Sequence, residues 1–123
     1  MSGPHHYDTV AFDVRDNTTM LFFAKTAEPG DIDDYLLIMR TINEDFDEVL
    51  TVEINEEQVS GEKLIEEARL MGNTILFRLG DAMRGWLGTE ELAVSFEETS
   101  ENLASIETGA FRVLGDLIAG GNA

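Results

Sequence analysis

Six apolar segments of strand length, most of them bounded by turn-forming residues, precede one long segment with amphipathic helical spacing, and this order restricts the fold more than any other feature. Val10, Phe12 and Val14 alternate within Tyr7 to Val14, which predicts a strand. Asp16-Asn17 is a turn signal and Thr19 to Ala24 a second apolar run, so the two predict an antiparallel hairpin. Glu28-Pro29-Gly30-Asp31 reads as a loop. Tyr35 to Ile42 has the length, tyrosine, isoleucine and threonine of a strand rather than a short helix. Val49 to Ile54 predicts another strand, broken by Glu56-Glu57 and Ser60-Gly61. Gly72-Asn73 followed by Ile75, Phe77 and Leu79 is a turn-then-strand pattern, and Leu92, Val94 and Phe96 form a strand with one buried face. Residues 62–71 satisfy two patterns. Leu64, Ile65, Ala68 and Met71 match helical spacing, whereas a strand must accommodate Glu66 among Leu64, Ala68 and Leu70.

Two helices are expected. Asp81 to Leu87 is short, with Asp81 as N-cap and Gly88 as terminator. The last begins at a Thr99 or Ser100 cap, buries Leu103, Ile106, Ala110, Val113, Leu114 and Leu117, and ends at Gly120-Gly121. The expected fold is α+β: one antiparallel sheet of about six to seven strands, with a long C-terminal amphipathic helix packed on one face. With no internal repeat or long linker, residues 8–119 form a single domain, and residues 1–7 and 120–123 are flexible ends.

The charge is unusual. Twenty-five acidic residues oppose eight basic ones, for a net charge of −17, which makes nucleic acid a poor partner. Three explanations compete: solubility or adaptation to high salt, with only Lys25 and Lys63 as lysines; a docking surface for a basic protein; and mimicry of nucleic acid. Between Glu28 and Glu57 lie eleven of the acids, opposed only by Arg40. Of these, Asp31, Asp33, Asp34, Glu44, Asp45, Asp47, Glu56 and Glu57 are the candidate partner-binding residues, on loops and strand ends from which their field would speed encounter with a basic surface. Glu53 shares a strand face with Val49 and Thr51 and is expected to be partly buried and hydrogen-bonded.

Catalytic equipment is not evident. There is no cysteine, and the two histidines, His5 and His6, are adjacent in the N-terminal segment. No serine lies in a nucleophile-elbow context, and no glycine-rich loop precedes a lysine to cradle a phosphate. Asn43-x-Asp45-x-Asp47 begins like a calcium loop but has Glu48 where glycine is required and Ile54 where the bidentate glutamate is required. Asp31-x-Asp33 fails similarly at Leu36 and Ile42. No cofactor or metal is expected. No signal-peptide pattern or membrane-length apolar run is present, so a cytoplasmic location with no membrane partner is expected.

The order Asp34-Tyr35-Leu36-Leu37-Ile38-Met39-Arg40, an acidic connector, Val52-Glu53-Ile54-Asn55-Glu56-Glu57-Gln58-x-Ser60-Gly61, Ile65-x-x-Ala68-x-Leu70, Thr74-Ile75-Leu76-Phe77-Arg78-Leu79 and Val94-x-Phe96 resembles the immunity protein 10 family of bacterial polymorphic toxin systems, over about residues 9–118. The resemblance implies an antitoxin that binds and blocks a cognate secreted toxin, and a strand rather than a helix at 62–71. It implies no catalytic residues. Two other classes remain open: an acidic structural or regulatory adaptor, monomeric or homodimeric, and a small hydrolase or isomerase using carboxylates in a sheet–helix cleft.

Overall fold

The hairpin expected near the N-terminus forms, and the sheet grows from it. The computed structural model describes residues 5–28, 31–42, 48–61 and 63–118, at a few of them by backbone alone. These residues form β1 (His5–Tyr7), β2 (Thr9–Arg15), β3 (Thr18–Glu28), β4 (Asp31–Ile42), β5 (Glu48–Ile54), β6 (Glu57–Gly61), β7 (Ile65–Met71), β8 (Thr74–Leu79), α1 (Asp81–Leu87), β9 (Glu91–Phe96) and α2 (Ser100–Leu114), then a 3-10 turn at Gly115–Leu117. Strands β2 to β6 pair in chain order as an antiparallel five-stranded sheet. Its register is continuous from Val10↔Phe23 through Leu21↔Ile38 and Ile38↔Val52 to Val52↔Val59. Alternation then decides burial. Val10, Leu21, Phe23, Leu36, Ile38, Leu50 and Val52 all fall on one face and are buried.

The remaining strands form a second sheet in the order β1-β9-β8-β7, antiparallel except for β1, which runs parallel to β9. Its inner residues Ile75, Phe77, Leu92, Val94 and Phe96 join the same hydrophobic core. Tyr7, Phe23 and Phe96 link the sheets, with ring centroids 5.9 and 6.5 Å apart. Each such side chain contributes roughly 1.5–3 kcal/mol by burial. The fold is therefore α+β, as expected, but the described residues form nine strands in two sheets rather than six or seven in one. The two strands not expected from the sequence are short ones: β6, hidden behind Glu56-Glu57, and β1, which lies in the segment 1–7 expected to be a flexible end and whose Tyr7 is 1% exposed. Tyr7 and Val10 belong to different strands because the chain crosses between sheets at Asp8. The Asp8 carboxylate accepts hydrogen bonds from the Thr26 amide and hydroxyl, both 2.9 Å.

Residues 65–71 are a strand. Glu66 is tolerated because a register irregularity between Ile65 and Glu67 turns it to the exterior, where it meets Arg84 at 3.2 Å and Arg78 at 3.5 Å. In α1 the cap is Gly80 rather than Asp81, with no side-chain bond. A Cβ at Gly80 would lie 1.8 Å from the Lys63 carbonyl oxygen, so only glycine fits there. Gly88 ends α1 in the left-handed region, φ 71°.

Helix α2 has 15 residues and is not long. It ends at Gly115, φ 53°, ahead of Gly120-Gly121, which lie outside the described residues. Thr99 caps its first turn through a 3.1 Å bond from the Asn102 amide. Ile106, Gly109, Ala110, Val113 and Leu114 are buried, whereas Leu103, expected inside, is 39% exposed. Asn102, only 3% exposed, occupies the helix face nearest the strand crossing. Its Oδ1 accepts from the Val10 amide at 2.8 Å, and its Nδ2 donates to the carbonyls of Asp8 at 3.0 Å and Glu97 at 2.8 Å. One side chain thus ties the helix start to both sheets.

Candidate protein-docking face

In a sheet covered on one side, central strands alternate apolar with polar residues. Here β3 and β4 are apolar at both parities, in Met20-Leu21-Phe22-Phe23 and Leu36-Leu37-Ile38-Met39. Leu21, Phe23, Leu36 and Ile38 fill the core, so Met20, Phe22, Leu37 and Met39 are carried to the outer face and left half-buried. The register sets Ala11 beside Phe22, Phe22 beside Leu37 and Met20 beside Met39. A shallow depression of about 430 Å³ lies there, lined by Ala11, Asp13, Arg15, Met20, Phe22 and Leu37. The only cation in its lining, Arg15, is paired with Asp13 at 3.2 Å.

Toward β5 this apolar strip meets carboxylates. The Phe22 and Tyr35 rings meet at a 34° tilt with centroids 5.7 Å apart, and the Tyr35 hydroxyl donates to Glu53, which lies opposite Leu37 and is half-buried as expected. The same hydroxyl accepts from the Glu56 amide at 2.9 Å. The bond to Glu53 holds the Tyr35 phenol above the ordinary tyrosine range. The β5–β6 turn has two residues, Asn55 and Glu56, both at positive φ (49° and 77°). The Asn55 side chain staples it to β4, accepting from the Tyr35 amide at 2.9 Å and donating to Asp34 at 2.7 Å. The acids of this corner are therefore held on a rigid hairpin tip.

Of the acids singled out in the sequence, the structure brings together Asp34, Glu56 and Glu57 around this turn, beside Glu53. Asp31 and Asp33 belong to the start of β4, where only the backbone is described. Glu44, Asp45 and Asp47 lie outside the described residues. Sequence reasoning missed the apolar half of the face. The unbroken apolar runs in β3 and β4 were the available sign of it.

The outer face of the second sheet differs. Arg69, Arg78 and Arg84 lie there among Glu66, Glu67 and Glu91, with Arg69 and Glu67 at 3.5 Å, so charges are matched locally. His6, expected to be mobile, bridges β1 to β9. Its Nδ1 lies 2.8 Å from Ser95 Oγ and its Nε2 2.5 Å from Glu97 Oε2. Hydroxyl, imidazole and carboxylate in a row invite a nucleophilic reading, but Ser95 lies within the β8–β9 ladder, and the depression beside Phe22 and Leu37 does not include it. Among the described residues no group of three or more His, Cys, Asp or Glu could hold a metal ion, and no helix is long and apolar enough to cross a membrane.

No family model, curated protein or solved structure matches the chain.

Proposed function

We propose that this chain is an immunity protein that binds a cognate toxin protein and neutralises it without catalysing a reaction. The outer face of the five-stranded sheet carries the reading: an apolar strip through Phe22 and Leu37 that ends on the hydrogen-bonded carboxylate of Glu53 and on Glu56, whose backbone amide is held by Tyr35. Such a face offers desolvation at its centre and charge at its rim, the usual division of labour in protein recognition. The net charge of −17 suits a basic partner, and the order of segments resembling the immunity family supports a toxin as that partner. The role is cytoplasmic, in the cell that makes the toxin, and needs no cofactor.

The test is to co-purify the chain with the product of the adjacent reading frame and to measure growth of cells expressing that product with and without the chain. A complex that weakens as salt rises, and rescue of growth, are expected. Replacing Phe22 by Glu should weaken the complex by at least about tenfold, since a buried aromatic contact becomes a charge. No complex and no rescue would refute the reading.

A further inference from the structure

A β-sheet closes its hydrogen bonds internally except at its edges, so edges decide what else it can bind. Three of the four edges here are covered or short. In β2 the two-residue turn at Asp16-Asn17 makes Arg15 and Thr18 the bonded flanking pair, so the amides of Val10, Phe12 and Val14 point away from β3. Two of them are taken, Val10 by Asn102 Oδ1 and Val14 by Asp13 Oδ1, each at 2.8 Å, and α2 packs along this strand. The edge of β7 is bridged by Ile118 at Ala68, and β1 is three residues long.

The fourth edge is β6. The same phase argument applies: the turn at Asn55-Glu56 makes Ile54 and Glu57 a bonded pair, and bonded pairs recur at Val52/Val59 and Leu50/Gly61. The amide and carbonyl groups of Gln58 and Ser60 therefore point outward. Among the described residues nothing bonds to them. The register with β5 is free of bulges, and the strand contains no proline and no lysine. Of the usual protections of an edge, a bulge, a proline, a lysine and a covering element are missing here among the described residues.

We propose that β6 is a β-augmentation site that takes an extended, lysine- or arginine-rich segment of a partner protein. The choice of occupant follows from charge and rests on the reading above that the partner is basic. Glu53 lies across the ladder from Gln58, Glu56 closes the turn, Glu57 begins the strand, and no cation occurs from Glu53 to Gly61. A second copy fits the backbone equally well, pairing Gln58 with Ser60 about Val59, but brings the same acids and another −17 of charge to the seam. A strand with cations on its outer side matches both the free backbone groups and the acids, and it would extend the docking face by one strand.

Amide hydrogen exchange tests this with a short acetylated peptide of alternating lysine and valine at about 1 mM. In the free chain Gln58 and Ser60 should exchange fast, while Val59 and Gly61 are protected. The peptide should slow Gln58 and Ser60 by about tenfold or more, and the glutamate–valine counterpart should not. Ser60→Pro removes an outward amide and the exposed 2.8 Å hydroxyl bond to Thr51 but no bond of the β5–β6 ladder, so its melting temperature should fall little and peptide protection should be lost. If Ser60→Pro melts much lower, Ser60→Lys repels the peptide with every backbone bond intact and should also abolish protection. No slowing at Gln58 and Ser60, or undiminished binding by both variants, would overturn the proposal. So would slowing that follows protein concentration without peptide, with a doubled mass by light scattering, because the occupant would then be a second copy. A toxin captured equally by the native chain and both Ser60 variants would refute the edge and keep the immunity reading. Peptide protection with no toxin captured would keep the edge and refute the immunity reading.

Discussion

Replacing Asn102 by alanine probes the joint on which both sheets depend. The side chain makes three hydrogen bonds, to the Val10 amide and the Asp8 and Glu97 carbonyls, at 2.8 to 3.0 Å, and is 3% exposed. At about 1 kcal/mol net per bond the loss is about 3 kcal/mol. The Val10 amide, in a residue 4% exposed, adds to this, since an orphaned buried donor costs about 1–3 kcal/mol. The two carbonyls belong to Asp8, half-buried, and Glu97, exposed, and can regain water. The expected destabilisation is about 4–6 kcal/mol, a large share of the roughly 5–15 kcal/mol typical of a domain. Urea unfolding followed by circular dichroism measures it as a lower midpoint at unchanged slope. Asn102→Asp sharpens the test: it keeps the acceptor for Val10 but turns an anionic oxygen toward two carbonyls, so it should regain stability as pH falls and the new carboxyl protonates. A loss below about 1 kcal/mol for the alanine variant, or an aspartate variant as stable as the native chain at neutral pH, would refute the role given to Asn102.

Two further perturbations follow from the geometry. A Cβ at Gly109 would stand 2.7 Å from Phe12 Cδ1 and 3.1 Å from Leu21 Cδ1. Gly109→Ala gains about 1 kcal/mol of helix propensity but loses about 1–3 to overpacking, so the melting temperature should fall; a rise would show that Phe12 moves aside freely. Tyr35 is held above the usual value near 10.0 chiefly by its bond to Glu53, and Tyr7 well above it by burial, with Asp34 adding to the shift. A raised folded-state value means that the protonated phenol stabilises the fold below pH about 10 and that this contribution fades as pH rises through the folded value. Ultraviolet titration should therefore show no tyrosine ionising in the ordinary range while the chain is folded. Tyr35→Phe should melt lower at neutral pH yet lose stability less steeply in alkali; an unchanged alkaline slope would contradict the assignment.

The elements carried by strong local periodicity were legible in the sequence: the β2–β3 hairpin, β4, β5, β8, β9, and a capped helix after Thr99. Alternation and capping are local physics, and nothing distant overrode them. The acid-rich stretch from Glu28 to Glu57 was visible too. What only the tertiary structure decided depends on neighbours remote in sequence. Residues 65–71 are a strand because β8 pairs with them and Arg78 and Arg84 receive Glu66 outside the sheet. The cap of α1 falls at Gly80, one residue before Asp81, at a position where the remote Lys63 carbonyl leaves no room for a side chain. β6 escaped notice because Glu56-Glu57 reads as a break, whereas positive φ at Asn55 and Glu56 makes a hairpin turn of it. The candidate site divides the same way. Its charge is a property of composition, but the side of the sheet on which Phe22 and Leu37 emerge, and the edge left open at Gln58 and Ser60, exist only once the strands have registered against one another.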